Sequence, residues 1–578
     1  SVGWLDMSSY DNTVQNNIYA IVLSKNDPSL LAPESDDEPV KPDTVSKANV
    51  LPAKSTTAAT AEKPKPAPIK PVLIDFDGIQ QRIVALPLPA SNYYSLSGLA
   101  EGKLYYVSAN PAGETILASY DIAKRKTETI ADNIGNYNIS ADGKKLIYTT
   151  AGSYGITTTG GKIAPGAGKL NTSVFNCLSD PQKEWKQEFD ELWRIERDFF
   201  YVENMHGANW KNIKAKYEKF LPYVGHRDDL NYLFNDMMAE LVIGHNYVGN
   251  GDYPEQLSVN VGLLGADYEI SSGLYRFKKI YSGLSWNPTF RAPLAQPGIE
   301  VKEGEYLVAV NGTPIDAKTN LYSFFQGLAG KQTRISVSTE ASLKNAREIT
   351  VVPVASETNL RLMDWVEGNR KKVDELSGGR VAYVYMPNTG GDGYTFFNRY
   401  YFSQLDKDAV IVDDRFNGGG SAADYVIDLL SRTVTNYWKN RDGQIMKTPE
   451  AVIDGPKAMI TNEYAASGGD LMPYMFKLKK IGTLVGTRTL GILVGIYNYP
   501  VLMDGGTMTA PRLGIFSKDG KWVVENEGIT PDETVEMTPK EVIAGKDPQL
   551  EKAVDVLMKQ LGPHKEIKAP ADPMRVAH

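Results

Sequence analysis

Asn462-Glu463-Tyr464-Ala465-Ala466-Ser467-Gly468-Gly469-Asp470 directly follows the apolar run Ala458-Met459-Ile460-Thr461. The run predicts a buried strand, and the small residues after it predict a tight turn that lifts one serine onto the start of a helix, Leu471–Leu478. A serine held there exposes its hydroxyl while the N–H of the next residue points at the same space. One turn thus supplies a nucleophile and half of an oxyanion hole. The same pattern also serves as plain punctuation between a strand and a helix, so the rest of the chain has to decide.

At 578 residues the chain is too long for one core, and its length predicts roughly three to five domains. Its 42% hydrophobic and 23% charged residues are those of a globular protein. A net charge of −8 without a basic, aromatic-rich patch argues against nucleic acid as a partner. No apolar run reaches the length of an integral membrane segment. The single Cys177 cannot form an internal disulfide; it reads as a small packed residue, with a thiol nucleophile as the alternative. The opening Ser1-Val2-Gly3-Trp4 carries no signal-peptide pattern and reads as a fragment or processed form.

The organisation predicted is multidomain α+β. Residues 1–28 hold a strand segment, with Asn17–Leu23 alternating. Residues 29–71, rich in Pro, Ala, Lys, Ser, Thr and acidic side chains, read as an extended insertion too poor in apolar surface to fold. Residues 72–170 carry short strands at Arg82–Leu86, Lys103–Val107, Thr115–Asp121, Glu128–Ile130 and Lys145–Thr150, separated by turns such as Ser140-Ala141-Asp142-Gly143. They resemble about two β-propeller blades, too few to close a ring. Residues 178–255 switch to helical spacing, with Trp185, Phe189, Leu192, Trp193, Ile195 and Phe199 on one stripe, and lead into His245. In the β-rich segment 256–356, Gly298–Gly312 resembles the centre of a PDZ domain. Its Gly262, Leu263 and Leu264 would then hold a peptide carboxylate on their N–H groups, or simply form a turn. Residues 357–562 alternate strands (Val381–Met386, Ala409–Val412, Ala458–Ile460, Leu484–Gly486) with helices (Tyr394–Leu405, Ser421–Arg432, Gly469–Leu478, Gln549–Leu561), an α/β layer structure; 563–578 form a tail.

Asp413-Asp414-Arg415-Phe416-Asn417-Gly418-Gly419-Gly420 lies between a strand and a helix. Its glycines let the backbone approach a ligand closely and would supply the second oxyanion N–H. A phosphate cradle or a simple tight turn is the other reading, and the lack of a following Lys-Ser/Thr argues against a nucleotide P-loop. With five histidines, a multi-histidine metal site is not expected. His564 and His578 belong to the tail, His226 to a surface turn, while His206 and His245 flank the helical segment. Glu525 is read as ending a strand before a Gly-Ile-Thr-Pro turn, and Asp442 lies in a loop where it would attract a basic side chain or simply be solvated.

The ordered set of a helical segment ending near His245, a PDZ-like domain, Asp-x-Arg-Phe-Asn-Gly-Gly-Gly, Asn-Glu-x-x-x-Ser, Gly-x-Arg-Thr and Glu-Asn-x-Gly-x-x-Pro-Asp resembles the C-terminal half of the tricorn proteases, within the tail-specific serine peptidases. The resemblance spans residues 75–560 and implies a crotonase-like, layered catalytic domain. It further implies Ser467 as nucleophile, His245 as general base, Glu525 as the orienting acid, and Gly468 with Gly418 or Gly419 as oxyanion donors. Peptides or unfolded chains would be cleaved through an acyl-enzyme, with no metal or organic cofactor. Relatives assemble into rings, which implies a homo-oligomer here. A bacterial periplasmic or envelope setting is expected, with the cytoplasm as alternative.

Three departures from the family pattern stand out. The serine that precedes the family histidine and links it to the glutamate is Gly244 here, so Glu525 would act through water or less directly. The residue after the nucleophile, Asp in the family, is Gly468. The stretch Gly486–Ile492 lacks the family's Trp-Gly-Gly ending, which would reshape the substrate pocket. The rival expectation is a weak or inactive PDZ/propeller peptide-binding protein; a serine esterase shares the acyl chemistry.

Overall fold

A computed structural model of the protein describes residues 15–32, 72–99, 102–109, 113–564, 567–572 and 575. Most of the predicted insertion, residues 33–71, lies outside the described residues. The chain divides into two compact units, one of residues 10–178 and one of residues 179–578.

In the first unit, Tyr19–Ile21 pairs antiparallel with Ile83–Ala85. A four-stranded antiparallel meander follows (Asn92–Leu99, Lys103–Ala109, Thr115–Asp121, Lys126–Asp132), then a three-stranded one (Asn136–Ile139, Lys145–Thr150, Ser153–Thr158). Three of the expected strands fall in the first of these sheets and one in the second, with further strands at Asn92–Leu99, Asn136–Ile139 and Ser153–Thr158. Asp142 shapes the predicted turn by accepting from Ser140 Oγ (2.6 Å) and the Lys144 N–H (3.1 Å). Tyr105, Val107, Leu117, Tyr137, Leu146 and Tyr148 form the buried core. Cys177, expected to be packed, is exposed, because the residues around it form neither strand nor helix and cover nothing.

The second unit opens with three helices, Pro181–Phe199, Trp210–Tyr217 and Arg227–Ala239. Their apolar stripes meet around Phe189, Leu192, Phe234, Met237 and Leu241. Trp193 and Trp210 lock two of the helices by each donating its indole N–H to the other's backbone carbonyl. Leu502, Met508 and Ala510 complete this core. Val248–Gly249, just past His245, pairs with the strand Thr507–Leu513, which in turn pairs with Gly495–Asn498. That small sheet fixes where His245 enters the site.

The PDZ-like sheet runs in the order Ala266–Ser271, Leu274–Ile280, Tyr306–Val310, Thr333–Ser338, Arg347–Val351. Beyond it lies a parallel sheet in sequential order: Val381–Tyr385, Ala409–Asp413, Lys457–Thr461, Thr483–Gly486, Glu533–Thr534. The first three of these strands are wholly buried, as continuous apolar runs in a sheet covered on both faces must be. Helices Gly391–Phe402, Ala423–Leu430 and Gly468–Leu478 make the crossovers, and right-handed connections place them on one face. Pro548–Leu561 packs with the helix Thr358–Ser377, which the sequence reading did not predict. Among the described residues no helix is long and apolar enough to cross a membrane.

Candidate active site

The loops of residues 414–422, 462–467 and 487–494 leave the carboxyl ends of parallel strands, where open α/β sheets bind their ligands. Ser467 ends one of them at φ 59°, ψ −115°, immediately before the helix Gly468–Leu478. Left-handed φ at a non-glycine residue is uncommon and persists only where the surroundings enforce it. Here the Ser467 N–H donates to the Ile492 carbonyl (2.8 Å) and to Asp470 Oδ2 (2.9 Å). Asp470 is fully buried and also accepts from the amides of Gly491 (2.8 Å) and Ile492 (3.0 Å). Burial pushes its carboxyl above the usual range, while the Thr489 hydroxyl and these amides pull the other way. Asp470 thereby ties the nucleophile turn to the 491–492 loop, a role the sequence reading did not assign. Its place three residues after the N-cap serine is the capping-box signal that would have shown it.

The Gly468 amide is the first of its helix and has no acceptor among the described residues, as helix geometry requires of that position. It stays available to a developing oxyanion. A side chain at Gly468 has no room: its Cβ would lie 1.9 Å from Thr389 Oγ1 and 2.5 Å from the Gly420 carbonyl oxygen. Thr389 is fully buried, and its hydroxyl has no hydrogen-bond partner among the described residues.

Gly419 approaches the serine most closely, since its Cβ would lie 2.6 Å from Ser467 Cβ. The oxyanion expectation for Gly418 and Gly419 meets a correction here, because both amides already have acceptors. Gly418 donates to the Pro387 carbonyl (3.2 Å) and Gly419 to Asn417 Oδ1 (2.9 Å), an Asx turn. Of the three glycines, only Gly420 has an amide without an acceptor among the described residues. That nitrogen lies against Gly468, 2.9 Å from where its Cβ would be.

His245 is buried (8% exposed) and its Nδ1 lies 2.8 Å from the Val494 carbonyl oxygen. A carbonyl can only accept, so Nδ1 carries the proton and the neutral ring keeps its lone pair on Nε2, the tautomer a general base needs. Glu525 holds the same segment from behind. Its Oε2 accepts from the amides of Leu493 (2.7 Å) and Val494 (2.8 Å), and its Oε1 from the Gly244 amide (3.2 Å). The acid therefore clamps the backbone on both sides of the His245–Val494 bond and, among the described residues, makes no hydrogen bond to the ring. It sits inside a turn between Val524 and Asn526, both at positive φ, and not at a strand end. Among the described residues no hydrogen bond joins Ser467 Oγ to His245. The 491–494 segment bridges them, bonded to Ser467 at Ile492 and to His245 at Val494.

Gly244 packs directly on that bridge. A Cβ there would lie 2.4 Å from Ile492 Cγ1 and 2.6 Å from its Cδ1. Gly244 and Ile492, read separately as departures from the family pattern, are two sides of one contact.

The expected carboxylate loop is also corrected. Gly262 donates to the Phe325 carbonyl (2.9 Å) and Leu263 to that of Val354 (2.8 Å), so neither amide is open, and the Leu264 side chain lies in the PDZ core. The carboxylate this turn does hold is the chain's own Glu357, which accepts from the Gly265 (2.6 Å) and Ala266 (3.3 Å) amides. Three other histidines have partners of their own. His206 joins Tyr201 Oη (2.6 Å) to the Leu241 carbonyl (2.7 Å), His226 caps the helix Arg227–Ala239, and His564 pairs with Asp408. Asp442 is exposed in the turn of the hairpin Asn436–Lys439/Ile445–Thr448.

Comparison with known proteins agrees with this layout. The tricorn protease C1 domain matches residues 181–239, the tricorn protease PDZ domain residues 262–356, and peptidase family S41 residues 380–535. The three matches follow one another in the domain order of the tricorn proteases, to which this chain is similar over most of its length. Tricorn protease homolog 1 of Streptomyces coelicolor is 31% identical over 512 residues, covering 84% of this chain and 47% of the relative. The tricorn protease of Thermoplasma acidophilum is 30% identical over 477 residues, 82% of this chain and 44% of the relative. A crystal structure of the tricorn protease superimposes with a TM-score of 0.78 at 27% identity, over 85% of this chain and 49% of that one. The chain thus spans about half the length of these relatives.

Proposed function

We propose that this chain is a tricorn-type serine peptidase that hydrolyses peptides or unfolded chains through an acyl-enzyme. Ser467 Oγ attacks the scissile carbonyl, and His245 Nε2 takes its proton and returns it to the leaving amine. The Val494 carbonyl holds the ring in the basic tautomer, and Glu525 holds Val494. The Gly468 amide receives the oxyanion, with Gly420 as second donor in the arrangement seen here. Closure of the Ser467–His245 distance accompanies substrate binding, since catalytic hydrogen bonds often tighten only in the complex.

The observation that carries this reading is the His245 Nδ1–Val494 bond of 2.8 Å. It places the proton of the neutral ring on Nδ1 and leaves Nε2 as the nitrogen able to accept, in a chain where a serine turn is held in a strained conformation. The test is hydrolysis of an unfolded protein, with products identified by mass spectrometry. The chain is expected to generate new termini, and Ser467→Ala and His245→Ala to generate none. Equal product formation by Ser467→Ala would remove the serine from the mechanism.

A further inference from the structure

Both loops that form the nucleophile turn carry an exposed aromatic residue, and one buried side chain positions the two together. Phe416 is 44% exposed and Tyr464 is 62% exposed, yet their rings stack at 5.6 Å with an interplanar angle of 24°. Asn462, almost wholly buried, uses Oδ1 to accept from the N–H of Phe416 (3.0 Å) and from that of Tyr464 (3.2 Å). Phe416 sits at φ 63°, a left-handed conformation that is a genuine outlier for a bulky residue. Such strain persists only when neighbouring structure enforces it, and it concentrates at ligand-binding positions.

The pair is also continuous with the core and with the serine. Trp365 lies 6.3 Å from Phe416 and 4.9 Å from Tyr385, both edge-on, so the stack is the outer end of an aromatic ladder. On the other side, the Asn417 carbonyl accepts the Ala466 N–H (3.0 Å), which joins the residue after Phe416 to the residue before Ser467. Glu463, on the same turn, directs its carboxylate to Thr487 Oγ1 (2.7 Å). What the shelf offers a ligand is ring surface.

On the reading of Ser467 as a peptidase nucleophile, we propose that Phe416 and Tyr464 form a subsite for an aromatic or large aliphatic side chain of the substrate, beside the bond that is cleaved. Such a side chain would remove exposed apolar area from water on both partners and extend the ladder by one ring. Acidic and small side chains gain nothing there.

The test measures binding without chemistry. Fluorescent peptides with amidated C-termini, identical except for Phe, Leu, Ala, Asp or Lys at one central position, are titrated into the Ser467→Ala chain and followed by anisotropy. Phe and Leu peptides are expected to bind roughly tenfold more tightly than the Ala peptide. In Phe416→Ala and Tyr464→Ala backgrounds that preference should fall below about threefold, with the Ala peptide unchanged. Phe416→Leu should retain the preference for Leu. Circular dichroism identifies any variant that has not folded, and the largely exposed Tyr464 provides the second probe if Phe416→Ala is lost. Equal affinity for all five peptides, or a preference untouched by both alanine variants, overturns the subsite. Because Ser467→Ala cannot react, failure of the peptidase reading would show in the hydrolysis experiment and not here.

Discussion

Ile492 occupies the space that any side chain on Gly244 would need, with its Cγ1 2.4 Å from the position of that missing Cβ. The hydroxyl that the family places before its histidine is therefore excluded by packing as well as absent from the sequence. The simple repair, Gly244→Ser, should fail. Inserting atoms into a filled site costs about 1–3 kcal/mol, and here the displaced side chain belongs to the segment that bonds both Ser467 and, through Val494, His245. Gly244→Ser is expected to lower both thermal stability and reactivity, while Gly244→Ser/Ile492→Gly recovers much of each. A double-mutant cycle on melting temperature and on turnover checks this, and additive effects would show that the two residues are independent.

Glu525 acts on the base only through backbone, so its removal should affect the chemistry more than binding. Glu525→Gln keeps the shape but turns an N–H₂ toward at least one of the three amides it now accepts from. Hydrogen bonds to charged groups are worth about 1.5–3 kcal/mol, so kcat is expected to fall by one to two powers of ten, with KM nearly unchanged. Steady-state kinetics on a peptide substrate separates these, and a change confined to KM would contradict the clamp.

Gly468 admits no side chain without displacing Thr389. Gly468→Ala should abolish hydrolysis and lower the melting temperature, and adding Thr389→Gly should restore stability only in part, because the Gly420 backbone still crowds the new Cβ. Wild-type stability and turnover in Gly468→Ala would show that the turn can make room for a Cβ, since alanine keeps the amide donor.

Glu196 lies fully buried on the helix that begins at Pro181, with Asn246, the neighbour of His245, beside it. Burial pushes its carboxyl up to about 8. An acid with a raised folded-state pKa binds more protons folded than unfolded, so its neutral form is accommodated below the unfolded value and stability falls as pH rises from about 4.5 toward 8. By pH 7 the loss approaches about 3 kcal/mol. Glu196→Gln removes the titration, so its melting temperature should rise relative to the parent at pH 8 and differ little at pH 5. An equal difference at both pH values would mean that the carboxyl does not titrate in this window.

The parallel sheet and the nucleophile turn were legible because their signals are local. Wholly buried strands are continuous apolar runs, and a serine between small residues before a helix announces its own geometry. The helix Thr358–Ser377 was not legible, because its buried face includes Asn369 and Ser377 and its periodicity is interrupted at Gly368. Asn369 donates to Tyr383 Oη (3.1 Å), so a polar residue serves the core there. The triad residues could be named from the resemblance, but their wiring could not. The acceptor for His245 is a backbone carbonyl at Val494, which no side-chain pattern records. Likewise, glycines at 418, 419 and 420 are equivalent in sequence, and only the loop's hydrogen bonds distinguish the open amide from the engaged ones. Gly262 and Leu263 misled for the same reason, since pairing with Phe325 and Val354 closes their amides through contacts distant in sequence.

The central claim is that His245, oriented by Val494, activates Ser467. Labelling with a fluorophosphonate probe tests it most directly, with the modified peptide located by mass spectrometry in the parent chain and in Ser467→Ala, His245→Ala and Glu525→Gln. Modification is expected at Ser467 in the parent, not in Ser467→Ala or His245→Ala, and more slowly in Glu525→Gln. A folded parent chain that stays unlabelled, or one labelled equally after loss of His245, would contradict it.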